Sequence, residues 1–223
     1  MIDSISPDEE LRKILEYRTQ ELIEYQNLSY AKEYISFVGN ILEKEQKTRS
    51  SSELSQNVAK YLFKLMATKD EYEVARLSLK AELDSAINKE FGKSAKISYM
   101  LHPPFLKAME NIPILNMLPG VKSKLALGSW FKVFYVMLKN MKFLRGTPFD
   151  FMALFSNDVR KADRKALNHY KSILSENIDE IGNGKYQDLK DFSVLPDIIR
   201  GYEEVRLETM DEFYLKSSNL FKS

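Results

Sequence analysis

The sequence predicts an all-α fold: seven or eight helices in an irregular bundle, with at most one short strand pair around residues 96–102. Three observations carry that prediction. Apolar residues recur at three- and four-residue spacing through most of the chain. The stretches between them are short and marked by Ser, Gly or Pro. Only Lys96 to His102 alternates apolar with polar positions. With 223 residues, 44% of them hydrophobic, the chain can build a proper core as a single helical domain over 1–223. A subdivision into an N-terminal hairpin, 1–46, and a main body, 52–223, is also compatible with the pattern.

Ser6, Pro7 and Glu9 form a capping-box start, and Leu11, Ile14, Leu15, Leu22 and Tyr25 follow on one face. Ala31, Tyr34, Ile35, Val38, Ile41 and Leu42 make the second helix, and the polar, Ser-rich run Gln46 to Ser52 reads as a linker. A third helix opens near Ser52 and carries Leu54, Val58, Tyr61, Leu62 and Leu65. Thr68 is placed to cap a fourth, running through Tyr72, Ala75, Leu79, Leu83 and Ile87. Pro103 and Pro104 end the possible strand, because proline lacks the amide donor and restrains the residue before it. Pro113, Pro119 and Gly120 punctuate a loop-rich stretch, and Leu125 to Leu144 is then apolar around most of a helical circumference. After the turn Arg145-Gly146-Thr147-Pro148, a face of Val159, Ala162, Ala166, Tyr170 and Ile173 stops at Gly182 and Gly184. Leu195-Pro196 starts a short segment, and Gly201 precedes a last helix with Tyr202, Val205 and Phe213.

Composition removes several kinds of chemistry. The chain has no cysteine, so it forms no disulfide and offers neither a thiolate nucleophile nor cysteine ligands for zinc or an iron–sulfur cluster. Two histidines, His102 and His169, are too few for a multi-histidine metal site. No Gly-rich phosphate loop, zinc-protease motif, nucleophile elbow or kinase signature is present. Neither is the Gly-Asp-Gly run that would accompany thiamine diphosphate and Mg²⁺. The start is acidic without a continuous apolar stretch, and Leu125 to Leu144 is interrupted by Lys132, Lys139, Asn140 and Lys142. These features predict a cytoplasmic protein with no signal peptide and no membrane span.

Charge is balanced overall, 33 basic against 32 acidic residues, but residues 85–148 hold ten basic and only two acidic. Those basic residues are spread out rather than packed in a run, which argues for a protein partner and against nucleic acid. Lys132 and Lys139 share a helical face flanked by Trp130, Phe131, Phe134 and Tyr135. That is the pattern of a core helix with snorkelling lysines, or of a surface for an acidic partner.

Seven residues stand out as candidate anion or interface residues: Lys69, Asp70, Glu73, Arg76, His102, Arg145 and Arg200. On a helix, Lys69 pairs in register with Glu73, and Glu73 with Arg76. Arg76, between Ala75 and Leu77, either belongs to a solvated face or is partly buried and anchors a carboxylate or phosphate with its planar fork. His102 is held extended by the prolines after it. Gly146 permits a positive φ beside Arg145, and Asp150 is placed to accept from the first amides of the next helix. As a site, Arg145 and the amides near it suit an anion. His169, between Ala166 and Ile173, reads as core or boundary.

Leu62-Phe63-Lys64-Leu65-Met66, Lys69-Asp70-Glu71-Tyr72-Glu73-Val74-Ala75-Arg76-Leu77 and His102-Pro103-Pro104 occur in order. Gly128-x-Trp130, Leu144-Arg145-Gly146-Thr147-Pro148-Phe149-Asp150 and Leu195-Pro196-x-Ile198-Ile199-Arg200-Gly201-Tyr202 follow them. This series resembles the C-terminal domain of fused indolepyruvate ferredoxin oxidoreductases, a domain with no assigned role of its own, from about Glu9 to about Phe213. Such enzymes oxidatively decarboxylate aryl pyruvates to acyl-coenzyme A with thiamine diphosphate, Mg²⁺ and iron–sulfur clusters, and reduce ferredoxin. The resemblance implies those cofactors only for the upstream catalytic domains, and no catalytic residue, cofactor ligand or metal ligand for this chain. It implies a non-catalytic helical module that docks on a 2-oxoacid oxidoreductase core, in cis or in trans, with ferredoxin as a further partner. The alternative is a small-anion module for coenzyme A phosphates or an aryl acid, built from Arg76, His102 and Arg145.

Overall fold

A computed structural model describes residues 8–92, 98–101, 125–150 and 152–221. The fold is all-α. Nine α-helices fall within the described residues: α1 (Glu9–Tyr25), α2 (Leu28–Thr48), α3 (Glu53–Met66), α4 (Glu71–Ser78), α5 (Ala81–Phe91), α6 (Lys132–Asn140), α7 (Ala153–Asn177), α8 (Tyr186–Val194) and α9 (Glu203–Leu220). Between α5 and α6 lie two strands, β1 (Tyr99–Leu101) and β2 (Leu125–Leu127). They pair antiparallel, with Met100 opposite Ala126. The strand expected near 96–102 is therefore present, and its partner takes the first residues of the apolar run 125–144. That run is not one helix: after Gly128 it passes through a 3-10 turn, Ser129–Phe131, into α6 and a second turn, Lys142–Leu144.

The chain divides into two compact units, one of residues 1–68 and 158–223, the other of residues 69–157. The boundary considered near 46–52 falls between α2 and α3, inside the first unit.

In the first unit, α1, α2 and α3 pack on one another, and α8 packs on α3. Leu11, Leu15 and Leu22 of α1 meet Tyr34, Val38 and Leu42 of α2 and Leu54, Val58 and Leu62 of α3, and the core continues through Tyr170, Phe192 and Phe213. Each of these side chains is fully or almost fully withdrawn from water, which contributes roughly 1.5–3 kcal/mol apiece. Buried Tyr34 and Tyr170 send their hydroxyls to the carbonyls of Ala59 and Ser193, so neither polar tip is left unsatisfied. Burial also raises both phenols well above the ordinary tyrosine range.

Several element ends differ from the sequence expectation. Asp8 caps α1, accepting from the amides of Glu10 and Leu11; the Ser6 and Pro7 of the expected capping box lie outside the described residues. Asp70, not Thr68, caps α4, and Thr68 instead bonds the hydroxyl of Tyr25. The predicted fourth helix is two. Its last α4 turn tightens as the Lys80 amide reaches the Leu77 carbonyl, and Lys80 then goes extended before α5 begins. Tyr72 and Ala75 of α4 are buried while α5 has no buried residue, so packing stops where the helix breaks.

The second unit has a smaller core. Tyr72 and Ala75 of α4 pack on Phe131, Tyr135 and Leu138 of the α6 region. The aromatic rings of Phe131 and Tyr135 meet edge to face at 5.0 Å between centroids.

Candidate functional site

Most of the charged residues marked in the sequence gather at the start of α4 and the turn 145–150, all within the second unit. Asp70 is extended and its Oδ1 accepts from the Glu73 amide at 2.9 Å, which starts the helix. The same carboxylate takes the fork of Arg145, Nε to Oδ2 at 2.5 Å and Nη2 to Oδ1 at 2.8 Å. Three residues on, Glu73 receives Arg76 in the same two-bond manner, at 2.8 and 2.7 Å. Both members of this second pair are buried, Glu73 to 7% exposure and Arg76 to 4%. The solvated-face reading of Arg76 is thereby corrected: α4 is short and its charged side turns inward.

Tyr72 links the Asp70–Arg145 pair to Asp150. Its ring lies 5.5 Å from the Arg145 guanidinium carbon, and its hydroxyl donates to Asp150 at 2.9 Å. Asp150 also accepts from the Gly146 amide at 2.9 Å and from the Ala153 amide at 3.3 Å, the latter at the first turn of α7 as its position predicted. Gly146 has φ 76°, which a side chain would oppose, and that conformation aims its amide at Asp150. The turn does hold an anion, and the anion is its own aspartate.

The remaining candidates are Arg200, Lys69 and His102. Arg200, in the first unit, is exposed and bonds Asp197 of the same turn, with Nη2 to Oδ2 at 2.8 Å. Lys69 is exposed and immediately precedes the Asp70 cap. His102 lies outside the described residues. Of the trio Arg76, His102 and Arg145, the two arginines sit in one unit with their forks engaged by internal carboxylates. A small anion competing for either would have to displace Glu73 or Asp70.

Two further polar clusters lie in the first unit, and of these only the position of His169 was legible in the sequence. Glu45 of α2, fully buried, accepts from the amides of Leu54 and Ser55, from the Ser55 hydroxyl at 2.6 Å and from the Tyr186 hydroxyl at 3.0 Å. It caps α3 from a neighbouring helix, and the only local signal is a glutamate falling on the apolar stripe of α2. His169 bonds the buried Ser217 hydroxyl at 2.8 Å inside a ring of Phe192, Phe213 and Tyr214. Burial holds its imidazole below the ordinary value. It sits at the boundary, as expected. Among the described residues no group of three or more His, Asp or Glu is placed to hold a metal ion, and no helix is long and apolar enough to cross a membrane.

The sequence profile of a family of unknown function, DUF6537, matches residues 11–218. The chain belongs to that family. No curated protein and no solved structure matches it. The DUF6537 match spans both units, so the α4 cluster and the glutamate-capped bundle both lie within the family's extent.

Proposed function

We propose that this DUF6537 chain is a non-catalytic accessory module that docks on the catalytic core of a 2-oxoacid:ferredoxin oxidoreductase of the indolepyruvate type. The observation that carries the reading is the way the marked charges are used. Asp70 with Arg145 and Tyr72 with Asp150 hold the start of α4 against the turn, while Glu73 and Arg76 close on each other within α4. A group that serves catalysis needs reach toward a substrate, and these are committed inside the fold. The resemblance of the Lys69–Leu77 and Leu144–Asp150 runs to the C-terminal domain of those enzymes supplies the partner: the catalytic core first, ferredoxin second. Thiamine diphosphate, Mg²⁺ and iron–sulfur clusters belong, in this reading, to the core. The compartment it fits is the cytoplasm.

The test is reconstitution. The chain is titrated into an indolepyruvate-type oxidoreductase core, and both complex formation and ferredoxin reduction are followed. A stoichiometric complex that changes turnover supports the reading. No complex with the core, or keto-acid turnover by the purified chain alone, overturns it.

A further inference from the structure

We propose that the outer face of α9 is a docking surface and that it takes a basic patch on the oxidoreductase core; the identity of the partner rests on the reading above. One side of α9 closes the core of the first unit. Met210, Phe213 and Ser217 are buried there, and Arg206 turns to Asp163, with Nη2 to Oδ1 at 2.7 Å. The opposite side, over about three turns, carries Glu204, Glu208, Asp211, Glu212 and Leu215, all of them exposed. Leu215 is 61% exposed, and Val205 at the edge of the stripe 55%.

The charge on this face is not consumed by the fold. Of its four carboxylates, only Glu212 is ion-paired among the described residues, with Lys216 at 2.8 Å. Glu208 stands four residues from both Glu204 and Glu212 and three from Asp211. Like charges therefore face one another along the helix, an arrangement that weakens it. The helix dipole accounts for Glu204 in the first turn, but not for the three carboxylates beyond it. A face that served only the fold would gain from mixed charge at these spacings.

The chemistry of the stripe selects the occupant. Its negative charge repels nucleic acid and anionic membranes. The carboxylates are strung along the helix, and among the described residues no three acidic or histidine side chains gather to hold a metal ion. Val205 and Leu215, left in water among the carboxylates, suit a protein surface that makes apolar contact while its lysines and arginines meet the acidic groups. Such complementarity acts mainly on encounter rate and fades with salt.

The experiment titrates the full chain into an indolepyruvate-type oxidoreductase core by calorimetry, at low and high salt. The wild type is compared with Glu208→Lys, Asp211→Lys and Leu215→Ser, and with Glu16→Lys, which makes the same charge change at an exposed position of α1. Each lysine variant on α9 should weaken binding about tenfold at low salt and flatten its salt dependence. Leu215→Ser should weaken it by a similar factor at both salt concentrations, and Glu16→Lys should do neither. Urea unfolding separates this from damage to the fold. Glu208→Lys exchanges repulsion for attraction along α9, so its midpoint should hold or rise while its binding falls. Equal affinity of the core for all variants overturns this surface while leaving the accessory role standing. Self-association of the free chain, abolished by Leu215→Ser, assigns the face to a second copy and overturns the basic partner. Absence of any complex with the core removes the accessory role itself, and this proposal with it.

Discussion

Asp70 and Arg145, 75 positions apart in sequence, meet through two hydrogen bonds of 2.5 and 2.8 Å. The aspartate is also the cap of α4, so one carboxylate starts a helix and fastens the distant turn to it. Both side chains are largely shielded from water, where breaking such a pair from one side is costly because the other charge is left behind. Asp70→Ala is expected to destabilise the second unit by about 3–5 kcal/mol, and Arg145→Lys by less, since the charge survives but the fork is lost. A double-mutant cycle by urea unfolding checks this: additive effects of Asp70→Ala and Arg145→Ala would show that the pair is not coupled.

Tyr72→Phe removes only the hydroxyl that Asp150 accepts. The expected loss is about 1–3 kcal/mol, because one oxygen of a buried carboxylate loses a donor. Hydrogen exchange of the Gly146 and Ala153 amides is the second readout. Both should exchange faster in the variant, since Asp150 then lacks the bond that holds it in place.

In the first unit, Glu45→Ala should be the most damaging single polar substitution. It strips the α3 amides of Leu54 and Ser55 and the hydroxyls of Ser55 and Tyr186 of their acceptor at a fully buried position. The expected cost is about 3–5 kcal/mol. Glu45→Gln should cost less, and a wild-type midpoint in Glu45→Ala would refute the capping role.

Acid should weaken the first unit through His169. Its folded pKa lies below the ordinary value of 6.5 because burial disfavours the imidazolium; nearby Lys165 adds to that, and Glu176 opposes it. The unfolded chain therefore binds a proton that the folded chain refuses. This contribution is fully present above about pH 6.5 and falls away as pH drops through the lowered folded value. Stability measured from pH 7.5 to 5 should decline in the wild type and decline less in His169→Gln. Nuclear magnetic resonance titration of the ring should place its midpoint below 6.5.

What was legible in the sequence were features settled within a few residues of chain. The apolar registers of α2 and α3, the start of α3 at Ser52 and the Asp150 cap are of this kind, whereas α7 ends at Asn177 and Gly184, with φ 96°, closes the 3-10 turn Ile178–Asn183 that follows it. Pairing of Glu73 with Arg76 was visible from spacing, but its burial was not, because periodicity shows which residues share a face and not what covers it. The break at Lys80 was missed for a related reason: Leu79 and Leu83 continue an apolar repeat across it, and only packing on α6 shows that the buried face ends with α4.

The order and helical class of the elements followed from the sequence by itself, since hydrogen bonds within a helix and its caps join residues three or four apart. Tertiary structure alone decided that Asp70 takes Arg145, that Glu45 caps a helix other than its own, and that one side of α6 is buried while Trp130 and Val133 remain in water. Those outcomes depend on which distant segments arrive together, and that is set by the summed burial of whole faces, a quantity no local pattern contains.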